Sequence, residues 1–317
     1  MYYIGVDLGG TNIAAGIVDQ KGRIITKGKL PTQRERPADE IVADMAALCH
    51  ALLTQAGLTV ADVACAGVAT PGAVDPPSGS VRYVCNLRMR DYPLAERLAQ
   101  HLPVPRIYLE NDANAAALAE ARVGAGKGCE SLILITLGTG VGGGIVIGNK
   151  LYAGFHHAGA ELGHTVIARG GRLCGCGRRG CWEAYSSASA LIAQTKEKME
   201  KARDSAMWHL CNGSLKIVSA RTAFDAAKRG DGAAQAVVDE YVEYLACGVT
   251  NMINAFCPEV LCIGGGVCGE GEYLLRPLRA LVEKEQYGSG LGVPRTKLQI
   301  AALGNDAGII GAALLGS

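Results

Sequence analysis

Ile4-Gly5-Val6-Asp7-Leu8-Gly9-Gly10-Thr11-Asn12-Ile13-Ala14-Ala15-Gly16-Ile17-Val18 is an apolar run that a glycine turn interrupts and that then resumes. Further along, Leu132-Ile133-Leu134-Ile135-Thr136-Leu137-Gly138-Thr139-Gly140-Val141-Gly142-Gly143-Gly144-Ile145-Val146 has the same grammar. Each reads as a β-hairpin. Gly10-Thr11 corresponds to Gly138-Thr139, and Gly16-Ile17-Val18 to Gly144-Ile145-Val146, at one constant offset of 128 residues. A repeat of this kind predicts two similar lobes, each opening on a glycine hairpin, with the two turns facing each other across a cleft.

Around the hairpins, strands alternate with helices. Helical spacing runs over residues 38–56 (Ile41, Met45, Leu48, Leu52), and a buried strand over 63–69 ends at Thr70-Pro71-Gly72. A short helix at 93–101, a strand at 106–109 and an alanine-rich helix from 113 follow. Later helices read at 188–202, 220–229 and 233–255, and a strand at 260–263 runs into Gly264-Gly265-Gly266. The alternation predicts an α/β fold with mixed sheets flanked by helices. The small lobe is placed at residues 1–112, joined by the C-terminal helix within 303–317, which Asn305 or Asp306 would cap. The large lobe is placed at 113–302. It includes a helical insertion around 196–218, whose Trp208 reads as exposed, on a solvated helix or at a subunit contact.

Composition narrows the function. A chain of 317 residues with a formal charge of +1, 49% hydrophobic and 19% charged residues, and no basic block lacks the electrostatic footprint of a nucleic-acid binder. The opening Met-Tyr-Tyr-Ile-Gly-Val-Asp has no basic or apolar targeting pattern, so a cytoplasmic protein is expected. The uncharged stretch 131–149 is interrupted by threonines and six glycines, which argues for two strands and a turn and against a membrane span.

The chemistry-bearing residues fall in four places. The turns Gly9-Gly10-Thr11-Asn12 and Gly138-Thr139-Gly140, with Gly264-Gly265-Gly266, offer open backbone N–H groups and hydroxyls to a polyphosphate, although each alone is equally a plain turn or a close packing point. Asp7, ending a strand, is placed to hold Mg²⁺ directly or through water. Glu110-Asn111-Asp112 joins a strand to a helix. Asp112 there is either a helix cap or a base accepting a hydroxyl proton, and Asn111 offers both donor and acceptor.

The fourth place is the run from Glu161 to Glu183. His164, Cys174, Cys176 and Cys181 have the types and spacing of a four-ligand zinc site, where a fully protein-ligated metal would be structural. The alternative is a tight loop of reduced thiols. With one His164 ring nitrogen on zinc, the other could donate to a substrate oxygen. Glu161, His164 and Glu183, with Asn111, could surround a molecule rich in hydroxyls, which points to a sugar. Glu161 and Glu183 as a glycosidase acid–base pair would leave the glycine turns unexplained.

Asp7-Leu8-Gly9-Gly10-Thr11, Glu110-Asn111-Asp112, Leu137-Gly138-Thr139-Gly140, Glu161-Leu162-Gly163-His164 and Cys174-Gly175-Cys176-Gly177-Arg178-Arg179-Gly180-Cys181 together resemble the ROK family of sugar kinases and repressors. The resemblance covers nearly the whole chain. It implies a two-lobed actin-like (ribonuclease H-like) ATPase fold with an interlobe cleft, ATP with Mg²⁺, structural Zn²⁺, and transfer of the γ-phosphate to a hexose hydroxyl, first of all glucose to glucose 6-phosphate. Asp112 then matches the catalytic base, and Asn111, Glu161, His164 and Glu183 match sugar-binding positions. Gly72 and Asn86 fall near further sugar positions, where Cys85-Asn86-Leu87-Arg88 departs from the commoner Pro-Asn-Leu. A homodimer or dimer of dimers is the expected assembly. Kinases for fructose, allose, N-acetylglucosamine or N-acetylmannosamine are the alternatives within the class. Outside it stands a non-catalytic sugar sensor. The family's repressors carry a helix-turn-helix ahead of the first hairpin, which the hairpin strand starting at residue 2 leaves no room for.

Overall fold

The computed structural model describes residues 1–84 and 87–317. An antiparallel meander opens the chain: β1 (Tyr2–Leu8), β2 (Asn12–Asp19) and β3 (Ile24–Pro31). Helix α1 (Ala38–Gln55) and strand β4 (Val63–Thr70) come next, then a small antiparallel sheet of β5 (Ala73–Asp75), β6 (Ser80–Tyr83) and β7 (Arg90–Tyr92). Helix α2 (Leu94–His101), strand β8 (Ile107–Asn111) and helix α3 (Asp112–Arg122) lead to a second meander of β9 (Leu132–Leu137), β10 (Val141–Ile147) and β11 (Lys150–Leu151). The helices α4 (Glu183–Ser186), α5 (Ala188–Lys201), α6 (Met207–Leu210), α7 (Thr222–Ala227) and α8 (Gly232–Phe256) precede β12 (Val260–Gly264), α9 (Glu272–Glu285), β13 (Lys297–Ile300) and α10 (Ala307–Ala313).

The duplication read from the glycine hairpins is carried by the sheets. One has the strand order β3-β2-β1-β4-β8 and the other β11-β10-β9-β12-β13, so each places its meander first and then two later strands. In the first, β1 and β4, and β4 and β8, are parallel. In the second, β12 and β13 are parallel. This is the mixed α/β, actin-like architecture. The chain divides into two compact units, one of Met1–Leu134, Gly144–Ala160 and Ala301–Ser317, the other of Ile135–Gly143 and Glu161–Ile300.

In the first unit, α1 turns Ile41, Met45, Cys49 and Leu52 into a core shared with Ile4, Val6, Ile13 and Ile17 of the sheet. The opposite face is covered by α10, and glycine makes that possible. Gly16, Gly5 and Gly67 are paired side by side across β2, β1 and β4. A Cβ at Gly5 would fall on the Ile309 carbonyl, and one at Gly67 on that of Ala312. The row of missing side chains lets the α10 backbone lie directly on the sheet. Glu120, fully buried on α3, accepts hydrogen bonds from the N–H groups of Ala125 (2.7 Å), Ala302 (3.0 Å) and Leu303 (2.8 Å), and so holds the chain that leads into α10.

The second unit is built around α8, with fully buried Trp182, Phe224 and Tyr241. Phe224 and Tyr241 meet edge to face, their centroids 6.4 Å apart. Trp208 does not project to solvent as its sequence context suggested. Its indole N–H donates to the carbonyls of Met199 (3.0 Å) and Ala202 (3.1 Å), which caps the frayed end of α5. The expected side-chain cap of the C-terminal helix is also absent, because Asp306 turns instead to the Lys27 ammonium at 2.6 Å. Among the described residues no helix is long and apolar enough to cross a membrane.

Candidate active site and metal cluster

In the first unit the site residues stand at the carboxyl ends of parallel strands, where α/β sheets bind ligands. Asp7 lies opposite Ala69 in β1/β4, and Thr70 opposite Asn111 in β4/β8. The first glycine turn connects β1 to β2, with the Gly9 N–H donating to the Asn12 carbonyl at 2.9 Å. Thr11 and Asn12 are exposed. Thr32, not singled out from sequence, is fully buried beneath this turn, and its hydroxyl donates to the Gly9 carbonyl (2.6 Å) while its N–H donates to that of Thr11 (2.9 Å). A turn held from below keeps its free amides pointing outward.

Asn111, rather than Asp112, caps α3. Its Oδ1 accepts from the N–H groups of Ala113 (2.9 Å) and Asn114 (3.3 Å), and its Nδ2 donates to the Gly72 carbonyl (3.2 Å). The acceptor of Asn111 is therefore used within the fold, while its amide N–H groups face the Gly72 carbonyl and the Asp112 carboxylate. Gly72 is needed at that junction: its φ is 85°, and a Cβ would meet the Tyr83 carbonyl. Asn86 lies outside the described residues. The Asp112 carboxylate accepts from the N–H of its neighbour Ala113 (2.8 Å), and its own N–H and the Asn111 side chain also favour its charged form. Burial raises its pKa. Burial, and then the charge of Asp112, lifts Asp7 to about 6. The first unit thus brings together two desolvated carboxylates, a capped helix start and an open glycine turn.

The second unit holds the Cys/His cluster. The ligand atoms of His164, Cys174, Cys176 and Cys181 all lie within 4.8 Å of one another. His164 Nδ1 is 3.7 Å from Cys174 Sγ, and Cys176 Sγ is 3.7 Å from Cys181 Sγ. Around a tetrahedral zinc with Zn–S near 2.3 Å and Zn–N near 2.1 Å, neighbouring ligand atoms stand about 3.6–3.8 Å apart. The donor set and its spacing therefore fit zinc. Burial first, and then hydrogen bonding with Cys176, Glu183 and Cys181, pushes the Cys174 thiol up to about 12, so a cation is what would make it a thiolate at neutral pH.

Glu183 links this cluster to the second glycine turn. Its Oε1 accepts from Cys174 Sγ at 3.3 Å, and its Oε2 from the Val141 N–H at 3.0 Å. A Cβ at Gly140 would meet Glu183 Oε2 and push that carboxylate aside, so glycine there leaves room for it. The turn is closed by the Gly138 N–H donating to the Gly140 carbonyl (3.0 Å), and α5 begins on it through the Ala188 N–H and the Gly138 carbonyl (2.9 Å). Glu161-Leu162-Gly163-His164 docks on the same hairpin, with Leu162 filling the space above Gly143 and Gly163 against Val141, which leaves Glu161 exposed and aims His164 Nδ1 at the cysteines. Gly265, at φ 96°, abuts the Leu137 backbone, so the third glycine run sits against the base of the second turn. It opens a 3-10 turn (Gly266–Glu270) ahead of α9. An open depression of about 540 Å³ beside the turn is lined by Thr139, Arg172, Cys174, Glu183, Ser187 and Ser189, among others.

Residues 3–317 match the model of the ROK family. A glucokinase of Thermotoga maritima is 38% identical over 98% of this chain and 95% of its own. A xylose repressor of Bacillus subtilis is 29% identical over 98% of this chain and 75% of its own. Among solved structures, a ROK family glucokinase from Streptomyces griseus in complex with glucose and AMPPNP is 37% identical and superposes with a TM-score of 0.83 over 99% of this chain and 98% of that one. A Cys/His cluster set behind a Glu-x-Gly-His turn, two sheets of one topology and a match running from residue 3 to residue 317 establish that the chain belongs to the ROK family.

Proposed function

We propose that this protein transfers the γ-phosphate of ATP to a hexose hydroxyl, converting glucose to glucose 6-phosphate. The observation that carries the reading is Asp112: a half-buried, desolvated carboxylate that opens α3 directly after β8, where Asn111 and not Asp112 serves as the cap. Phosphoryl transfer asks little of a protein beyond position, charge and one group to take the hydroxyl proton. The identity to the glucokinases of T. maritima and S. griseus supports glucose as the sugar.

Each unit then has its own tasks. In the first, Gly9, Gly10, Thr11 and Asn12 offer amides and a hydroxyl to phosphate, Asp7 would hold Mg²⁺, and Asp112 accepts the proton of the attacking hydroxyl while the Asn111 amide beside it orients that carboxylate and the sugar. In the second, Gly138, Thr139 and Gly140, with Gly264, Gly265 and Gly266, serve the nucleotide, and Glu161, His164 Nε2 and Glu183 hydrogen-bond hexose hydroxyls. When bound, Mg²⁺ neutralises charge on the phosphates. Zinc on His164, Cys174, Cys176 and Cys181 would fix the loop that presents Glu183. Thiolate ligands call for a reducing compartment, which agrees with the cytoplasm.

The test is ADP release from Mg-ATP over a panel of glucose, mannose, fructose, allose, N-acetylglucosamine and N-acetylmannosamine. Turnover highest with glucose is expected. Turnover confined to another sugar would overturn the substrate but keep the chemistry, and equilibrium binding of sugar with no ADP formed would replace the kinase with a sensor.

A further inference from the structure

Trp182 sits between metal ligand Cys181 and Glu183, and it is fully buried. Its backbone N–H donates to the Thr165 carbonyl at 2.8 Å, next to His164, and Cys181 bridges Val166. The segment that carries one ligand and Glu183 is thereby tied to the segment that carries another. The indole leaves this knot in the other direction, onto α8. Its Nε1 donates to the Tyr244 carbonyl at 3.1 Å, a second bond on an oxygen that also serves the helix. One turn further along α8 is Gly248, where a Cβ would fall inside the indole, against Cε2, Cδ2 and Nε1. Glycine is disfavoured within a helix, and a buried one needs a packing reason. Here the reason is the indole, which lies flat on bare helix backbone.

We propose that Gly248 and Trp182 are a positioning pair for the proposed reaction: α8, through the indole, sets where Glu183 and Cys181 stand and so sets the affinity for hexose. This rests on the reading of Glu183 as a sugar ligand. A methyl at Gly248 lifts the ring, and the ring is covalently followed by Glu183, whose Oε2 must reach the Val141 N–H and whose Oε1 must reach Cys174. The effect should fall on hexose binding and on zinc retention. The first glycine turn, in the other unit, is not part of this linkage.

The experiment compares the intact protein with Gly248→Ala, Trp182→Phe and the double variant. It reads KM for glucose, KM for ATP, and the rate at which zinc passes to a competing chromogenic chelator, with thermal unfolding as a control. Expected are a roughly tenfold rise in glucose KM for each single variant, an ATP KM within about twofold, faster zinc transfer, and partial return of both in the double variant, whose smaller ring accommodates the methyl. Folded Trp182→Phe with unchanged glucose KM and unchanged zinc transfer would overturn the proposal. If the intact protein turns over no hexose, the proposed reaction fails, and zinc transfer alone then decides the pair: unchanged in the folded variants, it overturns the pairing too.

Discussion

Cys174 Sγ donates to Glu183 Oε1 across 3.3 Å, so a proposed zinc ligand and a proposed sugar ligand share a proton when no cation is present. Zinc would remove that proton and leave the carboxylate free to accept from a hydroxyl instead. Chelation should therefore raise the KM for glucose by about tenfold or more before it changes that for ATP. Kinetics on protein dialysed against a zinc chelator and then reloaded check this. Equal losses for both substrates would show that the metal supports the whole unit and not the sugar loop.

The pair Asp7 and Asp112 sets the pH behaviour. Both carboxyls are raised by burial, Asp7 to about 6, and both must be ionised in the proposed roles. The rate should thus fall as pH drops through about 6, well above the usual carboxylate range, and the fall should move to lower pH at high Mg²⁺, which favours the ionised Asp7. Asp7 binds its proton more tightly folded than unfolded, so its contribution to stability is most favourable at low pH and is lost as pH rises through about 6. Asp7→Asn should then be more stable than the parent at pH 7.5, by at most about 3 kcal/mol for a shift of this size, with the gap closing toward pH 4. Urea unfolding at several pH values measures it.

Ala160, immediately before Glu161, has φ 63°, in the left-handed region where a Cβ is strained. Ala160→Gly should relieve about 1–2 kcal/mol of strain against about 0.5–1 kcal/mol of added chain entropy, for a small net gain in stability. Denaturant midpoints at constant slope will show it, and a loss of stability would contradict the strain.

Glu120 accepts three backbone N–H bonds with no solvent access. Glu120→Gln keeps the shape but replaces one acceptor oxygen with a donor facing donors, and should cost about 3 kcal/mol or more. Proteolysis near residues 301–303 should rise with it, since Ala302 and Leu303 lose their anchor.

What the sequence disclosed and what it hid follow from how far apart the interacting residues lie. The hairpins could be read because a glycine turn and its two strands are contiguous, and because the copy at a fixed offset repeated them. The Cys/His cluster could be read because Cys174, Cys176 and Cys181 lie within one loop. Glu120 gave no signal, since two of its partners are more than 180 residues away. Nor did Thr32 under the first turn or Gly248 under Trp182, where one side of each contact is a backbone atom or a missing Cβ. Asn111 and Asp112 are adjacent and both are good caps, so only the geometry assigns the cap to Asn111.

That assignment is the centre of the account, and Asp112→Asn tests it most directly when glucose binding by calorimetry and glucose 6-phosphate formation are measured on the same preparation. The account predicts glucose bound within a few-fold of the parent affinity and turnover reduced by about 10²–10⁴, the range for loss of a general base. Turnover near the parent value in a folded Asp112→Asn protein would contradict it.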